Sequence, residues 1–115
     1  MTKLTLGNVS YDIHTTTQNN AELGEDNRGR IWYEKLAIWV DKELPAELKS
    51  QTLYHEIAHA MCEQTSFNGM LMDKLGDNGY EIFIDSLGKV LYDIIHKNDM
   101  KTIEKKVLDD MTEDE

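Results

Sequence analysis

Apolar and polar positions along the chain follow two different periods. Up to residue 41 they alternate in twos. Leu4 and Leu6 alternate with Lys3 and Thr5, and Val9, Tyr11 and Ile13 alternate with Ser10, Asp12 and His14. That is the pattern of strands with one buried face. Gly7-Asn8 between them reads as a tight hairpin turn. A polar stretch over residues 15–30 contains Gly24 and Gly29. Ile31-Trp32-Tyr33 and residues 36–40 supply two more strands, with Glu34-Lys35 as the turn. In the last strand Leu36, Ile38 and Val40 share one face, and Ala37 and Trp39 share the other.

From Pro45 onward the period becomes helical. Proline is tolerated in a first helical turn, where its missing N–H costs nothing. Leu48, Leu53, Tyr54, Ile57, Ala58, Met61 and Cys62 cover a wide arc, which predicts a helix buried on most sides and ending near residues 66–69. After Asp77-Asn78-Gly79, a second run recurs at three- and four-residue spacing: Tyr80, Phe83, Ile84, Leu87, Val90, Leu91, Ile94 and Ile95. A final helix over residues 100–108 uses Ile103, Val107 and Leu108. The expected fold is α+β, a small antiparallel sheet followed by packed helices.

Composition narrows the picture. The 115 residues fit one domain, expected over residues 1–108. Acids outnumber bases 22 to 12, a net charge of −10. That argues against general nucleic-acid binding and against docking on an anionic membrane. Residues 109–115 hold five acids and no base, so half the net charge belongs to an expected solvated acidic tail. No apolar run approaches the ~18 residues of a membrane span. The first residues lack a charged-then-apolar signal organisation, and Cys62 is the single cysteine. A reducing cytoplasm is the expected compartment.

The informative segment is His55-Glu56-Ile57-Ala58-His59, an H-E-x-x-H motif on a predicted helix. Residues four apart lie about 40° apart around a helix and about 6 Å along it, so both imidazoles can reach one metal ion. Glu56, about 100° away from His55, lies beside the metal and is placed to act as a general base. The bland alternative is a helix with two surface histidines. The apolar arc around the motif speaks against it.

A hydrolytic zinc site needs a third protein ligand and an open position. Cys62 lies about 10 Å along the axis from His55, too far to share the ion, and reads as a core residue. His14 falls on a distant strand and His96 at the far end of the second long helix. Glu63, four residues past His59, is a further possible ligand, but its position on the first helix favours solvent. Glu81 opens the second apolar helix, and Asp85 follows one turn later on the same face. Acids on the inner face of an apolar helix demand a partner. Glu81 is therefore the expected ligand, with Asp85 accepting from a ligand histidine N–H or replacing Glu81 as the ligand. Gly88 and Tyr92 continue that face, and Gly88 would let another helix approach closely.

These residues resemble the H-E-x-x-H plus E-x-x-x-D pattern of the gluzincin metallopeptidases. The chain is also similar to small phage and prophage proteins related to the ImmA/IrrE-type metallopeptidases. That likeness rests on residues 29–35 and 38–41, on Gln51-Thr52-Leu53-Tyr54, and on Leu87-Gly88-Lys89-Val90-Leu91-Tyr92. It spans about residues 20–98, and the helix-turn-helix and sensor regions of longer relatives are absent from it. The resemblance implies a minimal zincin-like fold and a host cytoplasm if the protein is phage-encoded.

The expected activity is zinc-dependent peptide hydrolysis. His55, His59 and Glu81 would hold Zn²⁺, and Glu56 would deprotonate a metal-activated water. Tyr92 is a candidate stabiliser of the transition state, or an aromatic closing the core. The resemblance implies that residues 36–40, which precede the motif helix, are the substrate-side edge strand and could bind an extended peptide by strand addition. So small a chain suits one specific protein or peptide partner better than general digestion. Two other classes compete. One is a non-catalytic binding or regulatory protein stapled by zinc. The other is an acidic inhibitor that mimics nucleic acid.

Overall fold

In a computed structural model the backbone is described for residues 2–113 and the side chains for residues 2–109. Four strands come first: β1 (Lys3–Leu6), β2 (Val9–Thr16), β3 (Gly29–Trp32) and β4 (Ala37–Asp41). Three helices follow: α1 (Ala46–Gln64), α2 (Asn68–Lys97) and α3 (Met100–Glu113). The fold is α+β, as the two periods imply. α3 continues beyond residue 108 into the expected acidic tail, whose last two residues lie outside the described ones. Among the described residues no helix is long and apolar enough to cross a membrane.

The sheet corrects one expectation. Its order is β1-β2-β4-β3, and β2 pairs with β4 in parallel, Asp12 opposite Ala37 through Thr16 opposite Asp41. Only the β1–β2 and β3–β4 pairs are antiparallel. The cause lies in burial. Ala37, Ile38, Val40 and Asp41 are all buried, so β4 is covered on both faces and takes a central place. β3 is short, carries Arg30 and takes the edge. Parallel pairing needs a long crossover, and residues 17–36 supply it. Leu36 is not part of the strand. It turns the β3–β4 connection with φ 51°.

The polar stretch before β3 is a folded loop. Leu23 is fully buried beneath it. Asn20 Oδ1 accepts from Glu22 N–H, Asn27 Nδ2 donates to the Leu23 carbonyl, and Trp32 Nε1 donates to the Glu22 carbonyl, each at 2.8 Å.

α1 is the central element. One side packs on the sheet, where Tyr11, Ile38, Val40 and Ala60 form a core flanked by Ile31 and Leu53. The other side packs on α2 through Ala58, Cys62, Tyr80 and Ile84. Ala58 and Ala60 are small enough to keep both neighbours close. α2 starts earlier than its apolar period suggests, because residues 68–75 are also helical. Gly76 (φ 72°, ψ 172°) breaks this helix in a conformation open essentially to glycine alone.

Candidate metal centre

α1 and α2 approach each other closely where the motif lies. A Cβ at Gly88 would stand 3.0 Å from His55 Cα and 3.1 Å from the Tyr54 carbonyl oxygen. This approach brings Glu81 of α2 onto both motif histidines. His55 Nε2 lies 3.5 Å from Glu81 Oε2, and His59 Nε2 lies 3.6 Å from Glu81 Oε1. One ligand atom from each of the three residues lies within 4.8 Å of the others. Tetrahedral zinc with bonds of about 2.0–2.1 Å sets its ligand atoms about 3.4 Å apart. The donor set and its spacing therefore fit a metal ion.

The outer nitrogens are also engaged. His55 Nδ1 lies 3.5 Å from Asp85 Oδ1. Lys89 Nζ, 2.9 Å from the other oxygen, holds the Asp85 carboxyl below its usual range, with help from His55. His59 Nδ1 lies 2.9 Å from the Tyr80 hydroxyl. Burial and the neighbouring His55 lower the His59 pKa to about 4, so its ring is neutral and keeps a lone pair at neutral pH.

Glu56 is turned off the ligand face toward β3 and is only 7% exposed. Gly29 makes room for it. A Cβ there would lie 2.6 Å from Thr52 Cγ2 and 3.2 Å from Glu56 Oε2. Burial, reinforced by the Glu81 charge, pushes the Glu56 pKa up to about 7. Its carboxylate and His55 line a cleft of about 550 Å³ walled by Asp26, Arg28, Gln51, Thr52, Asp85 and Lys89. A carboxylate with a pKa near neutrality can take up and return a proton at little cost.

The structure thus brings His55, Glu56, His59, Glu81 and Asp85 together. Tyr92 lies in a neighbouring cavity, which it lines with Asp85, Gly88 and Lys89. Tyr92 stacks on His96 at 4.2 Å, meets Tyr54 edge-on and does not line the cleft over Glu56. Two helical turns past Asp85 carry it about 10 Å along the axis. His14 stacks on Trp39 across the parallel pair, also at 4.2 Å. Cys62 is buried in the helix–helix core, and burial raises its thiol pKa. Residues 36–40 do not form an edge strand, since β4 is paired on both sides; the free edge beside Glu56 belongs to β3.

Sequence reasoning missed Tyr80, Asn68 and the loop residues 26–28. Tyr80 carries the apolar period and reads as core, yet its hydroxyl reaches a motif histidine. Its position directly before Glu81 was the one available signal. Compared with family models, with curated proteins and with solved structures, the chain matches none.

Proposed function

We propose that the chain is a zinc-dependent peptidase acting on a particular protein or peptide partner. The observation that carries this reading is Glu56, a buried carboxylate with a pKa near 7, beside a three-residue ligand group and open to a cleft. His55, His59 and Glu81 would hold the ion. A bound zinc ion would supply Lewis acidity to the scissile carbonyl and to water. Glu56 takes the proton of the attacking water and delivers it to the amine as the C–N bond breaks. An extended substrate adds to the free edge of β3 and passes Glu56 at Gly29.

A zinc ion serving only as a staple would gain nothing from a carboxylate held out of water, because burial disfavours its charged form. That favours the enzyme over the non-catalytic reading. The test is Glu56→Gln. The variant is expected to retain zinc, measured by metal analysis, and to lose cleavage, measured by mass spectrometry of new termini in a peptide library or trapped partner. Undiminished cleavage by Glu56→Gln, or a wild-type protein that binds no zinc, sinks the proposal.

A further inference from the structure

A chain of hydrogen bonds runs outward from His59 and has one consistent direction. Asn68 Nδ2 lies 3.3 Å from Glu63 Oε1 and 3.4 Å from the Tyr33 hydroxyl. Its Oδ1 accepts from the Tyr80 hydroxyl. The Tyr80 oxygen in turn lies 2.9 Å from His59 Nδ1. An ionised carboxylate only accepts, so Glu63 must receive an N–H from the Asn68 amide. That turns Oδ1 toward Tyr80, whose single hydroxyl proton is spent there. The Tyr80 oxygen can then only accept from His59, which must carry its proton on Nδ1. The lone pair is left on Nε2, the atom that faces Glu81.

We infer that Glu63, Asn68 and Tyr80 are positioning residues that fix the His59 tautomer and hold its Nε2 lone pair on the metal position before any metal arrives. The inference rests on the metal-centre reading above and deepens it. It gives Glu63 a role at the outer end of the chain in place of a ligand role. It also gives Gly76 a function. Asn68 and Tyr80 are twelve positions apart on α2, which in a straight helix is about 18 Å along the axis. They touch because the helix breaks at Gly76 and folds its first turns back. Tyr33, from the turn after β3, ties the same network to the sheet.

The test uses metal-free full-length protein at neutral pH. Long-range ¹H–¹⁵N spectra of the imidazoles read which nitrogen of His59 carries the proton. Zinc affinity is read by competition with a chromophoric chelator. The wild type is expected to show His59 protonated on Nδ1. Tyr80→Phe keeps the ring and its packing, and is expected to lose that tautomer and bind zinc roughly 10–100-fold more weakly. Glu63→Gln, which is near-isosteric but can also donate, is expected to give mixed tautomers and a smaller loss of affinity. Thermal melts report whether each variant folds, and Glu63→Gln keeps the question open to test if Tyr80→Phe does not. A wild-type His59 protonated on Nε2 overturns the inference. So does a Tyr80→Phe protein with unchanged tautomer and affinity. Failure of the wild type to bind zinc would overturn the peptidase reading instead, while the metal-free spectrum still decides this one.

Discussion

At the scale of single residues, Glu56 and His59 make opposite demands on protons. The folded-state pKa of Glu56 is raised to about 7 from 4.5, so between those values the folded protein binds more protons than the unfolded chain. Its contribution is therefore full below about pH 4.5 and lost as pH rises through 7. The pKa of His59 is lowered to about 4 from 6.5, so there the unfolded chain binds more protons. Its contribution is full above about pH 6.5 and lost as pH falls through 4. From about pH 4.5 to 6.5 the two slopes cancel. Metal-free protein is thus expected to show nearly flat stability over that window. Glu56→Gln removes one slope, so its stability should rise with pH by up to about 3 kcal/mol between pH 4 and 6.5. Urea titrations across the range check this, and parallel profiles for variant and wild type would refute it. The motif itself was legible because a helix converts four-residue spacing into one face. Glu81 was legible because the apolar period placed it on the α2 face that meets α1, although its side chain stays half exposed there and is not enclosed as an inner-face acid would be. The Tyr80–Asn68 pair was not, because its geometry depends on a backbone break that no apolar period marks.

At the scale of elements, the close contact between α1 and α2 sets the distance from Glu81 to the histidines. Gly88 is the device. Adding a methyl group there presses on the backbone of His55 and Tyr54, which cannot swing aside as a side chain can. Gly88→Ala is expected to destabilise the fold by about 1–3 kcal/mol and to weaken zinc binding with it. Gly69, also on α2, has nothing within 4 Å of its would-be Cβ. Gly69→Ala should instead be neutral or stabilise by up to about 1 kcal/mol. Melting temperatures and zinc titrations of the pair check both. Equal behaviour of the two variants would mean that the helix contact does not position Glu81. Most elements were legible to within a few residues because alternation and helical spacing are local properties. The exceptions are residues 68–75, which begin α2 well before its apolar run, and the extension of α3 past residue 108. Strand pairing is not local. Residues 36–40 are apolar on both faces, a sign of a central strand that the edge-strand expectation passed over, and no local pattern could say that β4 would lie between β2 and β3.

At the scale of the whole molecule, the radius of gyration is 16.6 Å and the longest extent 58 Å. A compact chain of this length has a radius near 13 Å. α3 makes no extensive contact with any other element among the described residues, and Met100, Ile103 and Val107 are each about half exposed. Its start is fixed locally, by Asp99 accepting from the N–H and hydroxyl of Thr102. Such a helix draws little stability from tertiary packing and returns little. The sheet, α1 and α2 hold every residue of the candidate metal site and of the hydrogen-bond chain that runs from His59 to Glu63. A protein ending at Lys97 is therefore expected to keep its zinc affinity within about twofold and to melt within a few degrees of the full chain, since 1 kcal/mol moves a domain of this size by about 4–8 °C. Differential scanning calorimetry and zinc competition measure the two. A drop in either beyond those limits would show that α3 supports the body through contacts its extended position does not suggest. If both hold, the charge carried by the last eighteen residues is unnecessary to the candidate site, and Glu56, Glu81 and Asp85 are the acids its proposed chemistry would use.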